Sequence, residues 1–191
     1  MDKYNIIQEY IESVYDNFDT SIINFPTGAG AMNHLLRIIA NRLQETKQTT
    51  LILTRNSMMQ EYLYQDFCNE LDLFSGKNGV NPFYEFENGS TIFFKLYNKL
   101  EYPTFNYSGN VVFFNIDLKR NNKPTLEILD KINTCDKKLF INCNIRNGVE
   151  TVIARKLKGK IYQKECNYDV SDLPMEIRKF KLKKIREKYH E

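Results

Sequence analysis

A chain of 191 residues, 42% hydrophobic and 27% charged, fits one domain with a sizeable core. No apolar run approaches the roughly 18 residues that cross a bilayer, and the opening Met1-Asp2-Lys3-Tyr4-Asn5 does not read as a secretion signal; a cytoplasmic protein with no membrane partner is expected. Cys68, Cys135, Cys143 and Cys166 lack Cys-x-x-Cys spacing, and His34 and His190 are the only histidines. Core thiols in a reducing compartment and no metal site follow. The formal charge of +3 says little by itself, but positions 178–188 hold seven basic residues and one acidic residue.

Along the chain, 4–15 places Ile6, Ile7, Tyr10, Ile11, Val14 and Tyr15 on one helical stripe. A short apolar strand over 21–25 leads into a helix over 31–44 with Leu35, Leu36, Ile38, Ile39 and Leu43 on its core side. A buried strand over 49–54 precedes a helix over 57–71 with Met58, Met59, Tyr62, Leu63 and Phe67 on one side. A Gly/Asn-rich loop over 76–82 follows. The pattern over 83–96 predicts a hairpin whose Glu87-Asn88-Gly89-Ser90 sequence suits a tight primed turn. The most apolar strand is predicted over 111–116, a helix with Pro124 in its first turn over 124–132, a strand over 138–143, a helix over 149–158 and a last strand over 160–164. A charged helix over 172–189 closes the chain. Strands alternating with helices predict a mainly parallel sheet covered on both faces. The expected organisation is one domain over 1–170 followed by a basic terminal helix over 171–191.

The most informative segment is Ser21 to Asn33, where an apolar run ends in Pro26-Thr27-Gly28-Ala29-Gly30 and a helical pattern begins at once. A strand, a Gly-rich turn and a helix N-terminus form an anion site from backbone N–H groups and the helix dipole. In a working phosphate-binding loop the next two residues are Lys and Ser or Thr, for the phosphates and Mg²⁺. Here they are Ala31 and Met32. A Gly-rich strand-to-helix turn without any nucleotide role is the plain alternative.

Pro26-Thr27-Gly28-Ala29-Gly30 resembles the first motif of superfamily-2 helicases and of viral terminase large subunits. Four further segments resemble that family in order. Residues 50–60 are similar to its next motif, a strand ending in Thr54-Arg55 and then a helix. Residues 86–93, with Asn88-Gly89-Ser90 before an apolar pair, resemble a hairpin of terminases. Ser108-Gly109 and the strand reaching Asp117 stand where the acidic motif falls, and residues 139–148 resemble the coupling motif. The resemblance covers roughly 5–160. It implies a three-layer P-loop NTPase-like α/β fold with an inserted β-hairpin.

The departures fall on the chemistry. Besides Ala31 and Met32, the acidic motif reads Asn115-Ile116-Asp117-Leu118, so no alignment supplies both Asp and Glu. Asn142-Cys143 replaces the small hydroxyl residues of the coupling motif. The nuclease domain of the family would follow residue 191. The resemblance therefore implies a catalytically inactive relative, without cofactor or catalytic residue. Its nucleotide-pocket remnant would be Thr27, Gly28, Ala29, Gly30, Ala31, Met32, Arg55 and Asp117.

Such a protein would be viral, in the host cytoplasm of a bacteriophage infection. It would act as a DNA-binding or motor-associated accessory in DNA packaging. Double-stranded DNA would meet Arg178, Lys179, Lys181, Lys183, Lys184, Arg186 and Lys188, with Phe180, Leu182 and Ile185 as an apolar seam beside them. A solvated helix docked by that seam is the plain reading of the same stretch. Two alternatives stand beside the accessory role. One is an active ATPase or split packaging-motor subunit using displaced groups such as Arg55, Asp117 and Asn33. The other is an inhibitor or mimic that binds a phage or host protein. Glu85 and Glu87, a carboxylate pair beside the hairpin turn, are expected at the surface.

Overall fold

The computed structural model describes residues 3–25, 29–71, 82–97, 109–118, 123–145, 149–157, 161–165 and 173–189. Within them the chain runs α1 (Lys3–Asn17), β1 (Thr20–Asn24), α2 (Ala31–Glu45), β2 (Thr49–Thr54), α3 (Ser57–Glu70), β3 (Phe83–Glu85), β4 (Thr91–Leu96), β5 (Asn110–Phe114) and β6 (Asp117–Leu118). It continues with α4 (Lys123–Lys131) and a 3-10 turn, β7 (Lys137–Ile141), β8 (Asn144–Ile145), α5 (Val149–Lys156), β9 (Ile161–Glu165) and α6 (Leu173–Tyr189).

Seven strands form one sheet in the order β3-β4-β2-β5-β7-β1-β9. All neighbours are parallel except the β3–β4 hairpin, which is inserted between α3 and β5. The sheet has apolar side chains on both faces, as a covered parallel sheet requires. Ile23, Ile52, Val112, Leu139 and Ile141 meet α1, α2, α3 and α6 in one cluster. Ile22, Leu51, Leu53, Val111, Phe113 and Phe140 meet α4 and α5 in the other. Phe113 and Phe140 are register partners on β5 and β7. Their rings stack at 4.6 Å and 11°, an arrangement worth about 1 kcal/mol beyond the area it buries. The result is the three-layer α/β architecture with a mainly parallel sheet that the alternation of elements predicts.

Three local differences from the sequence reading have physical causes. The hairpin turn is not a primed pair: Gly89 has φ 77, whereas Asn88 does not have positive φ. The Gly89 N–H donates to Phe86 O at 2.9 Å, and the Phe86 N–H to Ser90 O at 2.8 Å. That is a type I turn followed by a left-handed glycine. Asn88 is used elsewhere: its Nδ2 donates to Leu43 O and Gln44 O, at 2.7 and 3.1 Å, and so caps the end of α2.

The strand predicted over 111–116 breaks at Asn115, which has φ 53. Asp117 and Leu118 then pair with Asn144 and Ile145 in a separate two-stranded ladder. The predicted seam of the terminal helix also divides. Leu173, Ile177 and Phe180 are buried in the first core, and Phe180 packs edge-on against Phe18 and Tyr162. At about 100° per residue, helical positions 182 and 185 lie well away from that side. The Gly/Asn-rich segment, apart from Pro82, lies outside the described residues.

Gly109, at the entrance to β5, has φ 120, and a Cβ there would stand 2.4 Å from Thr49 O. Since β2 and β5 are central strands, neither backbone can give way cheaply. Gly109→Ala is therefore expected to destabilise the fold by roughly 2–3 kcal/mol. A urea titration followed by circular dichroism measures it, and an unchanged midpoint would show that β5 enters the sheet differently.

Candidate functional site

In an open α/β sheet, ligands bind beyond the carboxyl ends of the strands, where neighbouring connections leave to opposite faces. Here that point lies between β1 and β7. The chain after β1 enters α2 on one face, and the chain after β7 enters α5 on the other. The residues at this edge are Asn24 and Phe25 after β1, Ala29 and Gly30 before α2, Asn115 after β5, and Asn142 and Cys143 after β7.

The three strand ends are tied to one another. Asn115 N donates to Ile141 O at 3.0 Å, and Asn142 N to Ile23 O at 2.9 Å. Asn142 Oδ1 accepts from the N–H of Phe25 at 2.6 Å, just where the glycine-rich loop begins. Asn115 and Asn142 both adopt the left-handed conformation, with φ 53 and 51, which Asn tolerates better than other side-chain-bearing residues. Asn24 Oδ1 is buried at the same edge without a hydrogen-bond partner. The Cys143 thiol is buried and donates to Phe113 O and Ile141 O, at 3.3 and 3.6 Å. Burial pushes it up to about 12, so it serves as a packed strand-end group and not as a thiolate nucleophile.

Gly30 caps α2 in the left-handed conformation, φ 67 and ψ 13, and offers no side chain. The His34 N–H donates to Gly30 O at 3.1 Å, and the His34 ring lies 3.8 Å from where a Gly30 Cβ would be. Burial first, and then the Arg37 guanidinium, holds His34 below the ordinary imidazole value. The imidazole therefore resists becoming a cation at the positive end of α2.

The predicted pocket residues divide clearly. Thr27 and Gly28 lie outside the described residues. Ala29 packs against the first core, and Ala31 and Met32, 6% and 5% exposed, belong to it. The two positions that would carry Lys and Ser or Thr are thus packing positions. Arg55, just beyond β2, pairs with Asp117 of β6 at 3.6 Å; their side chains are 65% and 38% exposed. The two groups considered as substitutes for phosphate and metal binding are thus placed against each other in a largely exposed ion pair. Asn33 does not turn toward the strand ends, since its Nδ2 donates to Asp66 of α3 at 3.0 Å. Among the described residues no group of three or more His, Cys, Asp or Glu is placed to hold a metal ion. Glu85 and Glu87 are exposed.

The basic helix is held against α1, where Lys181 pairs with Glu9. Glu9, Glu12 and Asp16 of α1 line a groove of about 250 Å³ beside Phe180 and Lys181. Positions 184 and 188 share this side of the helix. Lys179 is exposed on the other side, at 3.5 Å from Glu176, where positions 183 and 186 also fall at about 100° per residue; Arg178 is exposed between the two sides. The seven basic residues therefore do not form one face.

The sequence reading missed the strand-end role of Asn142 and treated it only as a departure from a motif. The available signal was an Asn closing an apolar strand, the residue type suited both to a left-handed bend and to a side-chain cap.

No family model matches the chain, and no curated protein matches it. Among the described residues, no helix is long and apolar enough to cross a membrane.

Proposed function

We propose that the chain is a catalytically inactive relative of the terminase and helicase motor domain, of viral origin, that serves as a DNA-binding or motor-associated accessory in the cytoplasm of the host. The observation that carries this reading is the use made of the loop positions. Ala31 and Met32 are core residues, and Arg55 and Asp117 pair with each other. A side chain buried in an apolar cluster cannot also reach a phosphate. Each missing charge-stabilising group lowers a phosphoryl-transfer rate by roughly 10²–10³-fold. Replacing Ala31 with Lys would not simply restore the loop, because it would drive an ammonium into the first core.

The strand order, the glycine-capped α2 and the inserted hairpin support the relationship to P-loop motors at the level of architecture. The Asn142 cap gives the loop a fixed starting point without requiring a nucleotide. No ATP turnover is expected with Mg²⁺, with or without double-stranded DNA. Turnover that Asp117→Ala abolishes would overturn this reading in favour of an active motor subunit using displaced groups.

DNA contact on this reading is electrostatic and sequence-independent. The acidic groove of α1 opposes phosphates beside Lys181, so the effective cations are Arg178, Lys179, Lys183 and Arg186. With about four phosphates contacted, log K for a duplex falls with log salt at a slope of roughly −4. Lys179→Ala combined with Arg186→Ala is expected to reduce the slope by about 2. A slope left unchanged by that pair would move the DNA contact off this side of α6.

A further inference from the structure

The outward faces of α3 and α6 both expose apolar side chains but differ in charge. On α3, Met58 and Tyr62 lie one turn apart and are 80% and 52% exposed. The Tyr62 hydroxyl donates to the Asp66 carboxylate, which also accepts from Asn33 of α2 at 3.0 Å. The ring is thereby held in place before a partner arrives, which lowers the cost of contact. Glu61 and Gln65 are exposed on the same face, and α3 carries Glu61, Asp66 and Glu70 with no basic residue. On α6, Met175 is 59% exposed. At about 100° per residue it stands opposite the buried Leu173, Ile177 and Phe180. Arg178 and Lys179 flank it and are exposed. The 3.5 Å contact of Lys179 with Glu176 is a surface pair of little worth, which a partner carboxylate can replace.

We propose that α3 of one copy of the chain docks on α6 of a second copy, with Met58 and Tyr62 against Met175 and Glu61 facing the Arg178 and Lys179 cations. Charge selects this occupant. Pairing α3 with α3 would set acid against acid, and pairing α6 with α6 would set cation against cation, so only the unlike pair is attracted. The Tyr62 ring also offers its face to a guanidinium. Within one chain α6 packs against α1, α1 against α2 and α2 against α3. The two faces therefore stand at opposite ends of one helical layer, roughly 25–30 Å apart at 8–10 Å per helix pair. A chain cannot satisfy its own α3 with its own α6. The contact is between copies and heterologous, so each copy that uses one face keeps the other free. A duplex would match Arg178 and Lys179 but leave Met58 and Tyr62 uncovered, and it would compete with the second copy for those cations. The inference rests on exposed side chains and not on the loss of hydrolysis, so either can fail alone.

Sedimentation velocity of the full chain over a concentration series tests it. At low salt the average mass is expected to rise past that of a dimer as concentration increases, and the rise is expected to shrink at high salt. Met58→Ser with Tyr62→Ser removes the α3 face, and Arg178→Glu with Lys179→Glu reverses the α6 face. All four side chains are exposed, so both variants are expected to keep the circular dichroism of the unmodified chain. Each variant alone is expected to associate at least tenfold more weakly. An equimolar mixture of the two holds one intact face of each kind, and it is expected to form a dimer that grows no further. A chain that stays monomeric at every concentration would overturn the proposal, as would self-association that neither variant weakens. Mixed variants that fail to recover the dimer would also overturn it. A full-chain dimer that grows no further, and that only one variant dissolves, would assign the face to a symmetric contact and overturn it.

Discussion

The hydrogen bond from the Phe25 N–H to Asn142 Oδ1 is the constraint on which the carboxyl edge of the sheet depends. β1 and β7 are neighbours inside the sheet, but their connections leave toward opposite helical layers. The first residues beyond the strands would otherwise separate and leave buried backbone groups without partners, at about 1–3 kcal/mol each. Asn142 prevents this by turning left-handed, giving its own N–H to Ile23 O and accepting from Phe25. Asn115 makes the corresponding bend one strand further along. The start of the glycine-rich loop is fixed by the protein itself.

The rest of the edge follows the same logic. A working phosphate site keeps polar groups held in readiness for a ligand, with the fold supporting them from behind. Here the corresponding positions support the fold directly. Ala31 and Met32, the first residues of α2, pack into the first core, Asn33 bridges to α3 through Asp66, and Arg55 pairs with Asp117. His34, pressed on Gly30, is held toward its neutral form. On the proposed reading, these contacts suit a chain that carries Ala31 and Met32 in place of Lys and Ser or Thr.

Much of the architecture was legible in the sequence because strand and helix periods were unambiguous. The runs at β2, β5 and β7 are too apolar for a half-exposed strand, and the stripes of α1 and α2 name buried residues apart from the half-buried Ile6, whereas the α3 stripe wrongly includes Met58 and Tyr62, which are exposed. Features that depend on distant partners were not legible. Nothing local to Asn88 says that its side chain will cap α2 instead of occupying a left-handed turn position. Nothing local to Asn115 says that β5 ends there and that Asp117 joins a separate ladder. Phe180, Leu182 and Ile185 were read as one seam although a period of about 100° per residue already sets position 180 apart from positions 182 and 185. At the candidate site, Gly30 takes the left-handed conformation at the start of α2, while Thr27 and Gly28 lie outside the described residues. The roles of Asn142 and of the Arg55–Asp117 pair required the strand order.

On the proposed reading, the edge beyond β1 and β7 is held by the Asn142 cap and by the packed Ala31 and Met32, and it does not await a nucleotide. Native-state amide hydrogen exchange with and without Mg²⁺ and ATP tests it most directly, read at Phe25, Ala29 to Asn33 and Asn142. The Phe25 amide is expected to be protected already in the free protein, with no change at these positions when nucleotide is added. New protection across Ala29 to Asn33 on adding ATP would contradict it and identify the loop as a nucleotide site.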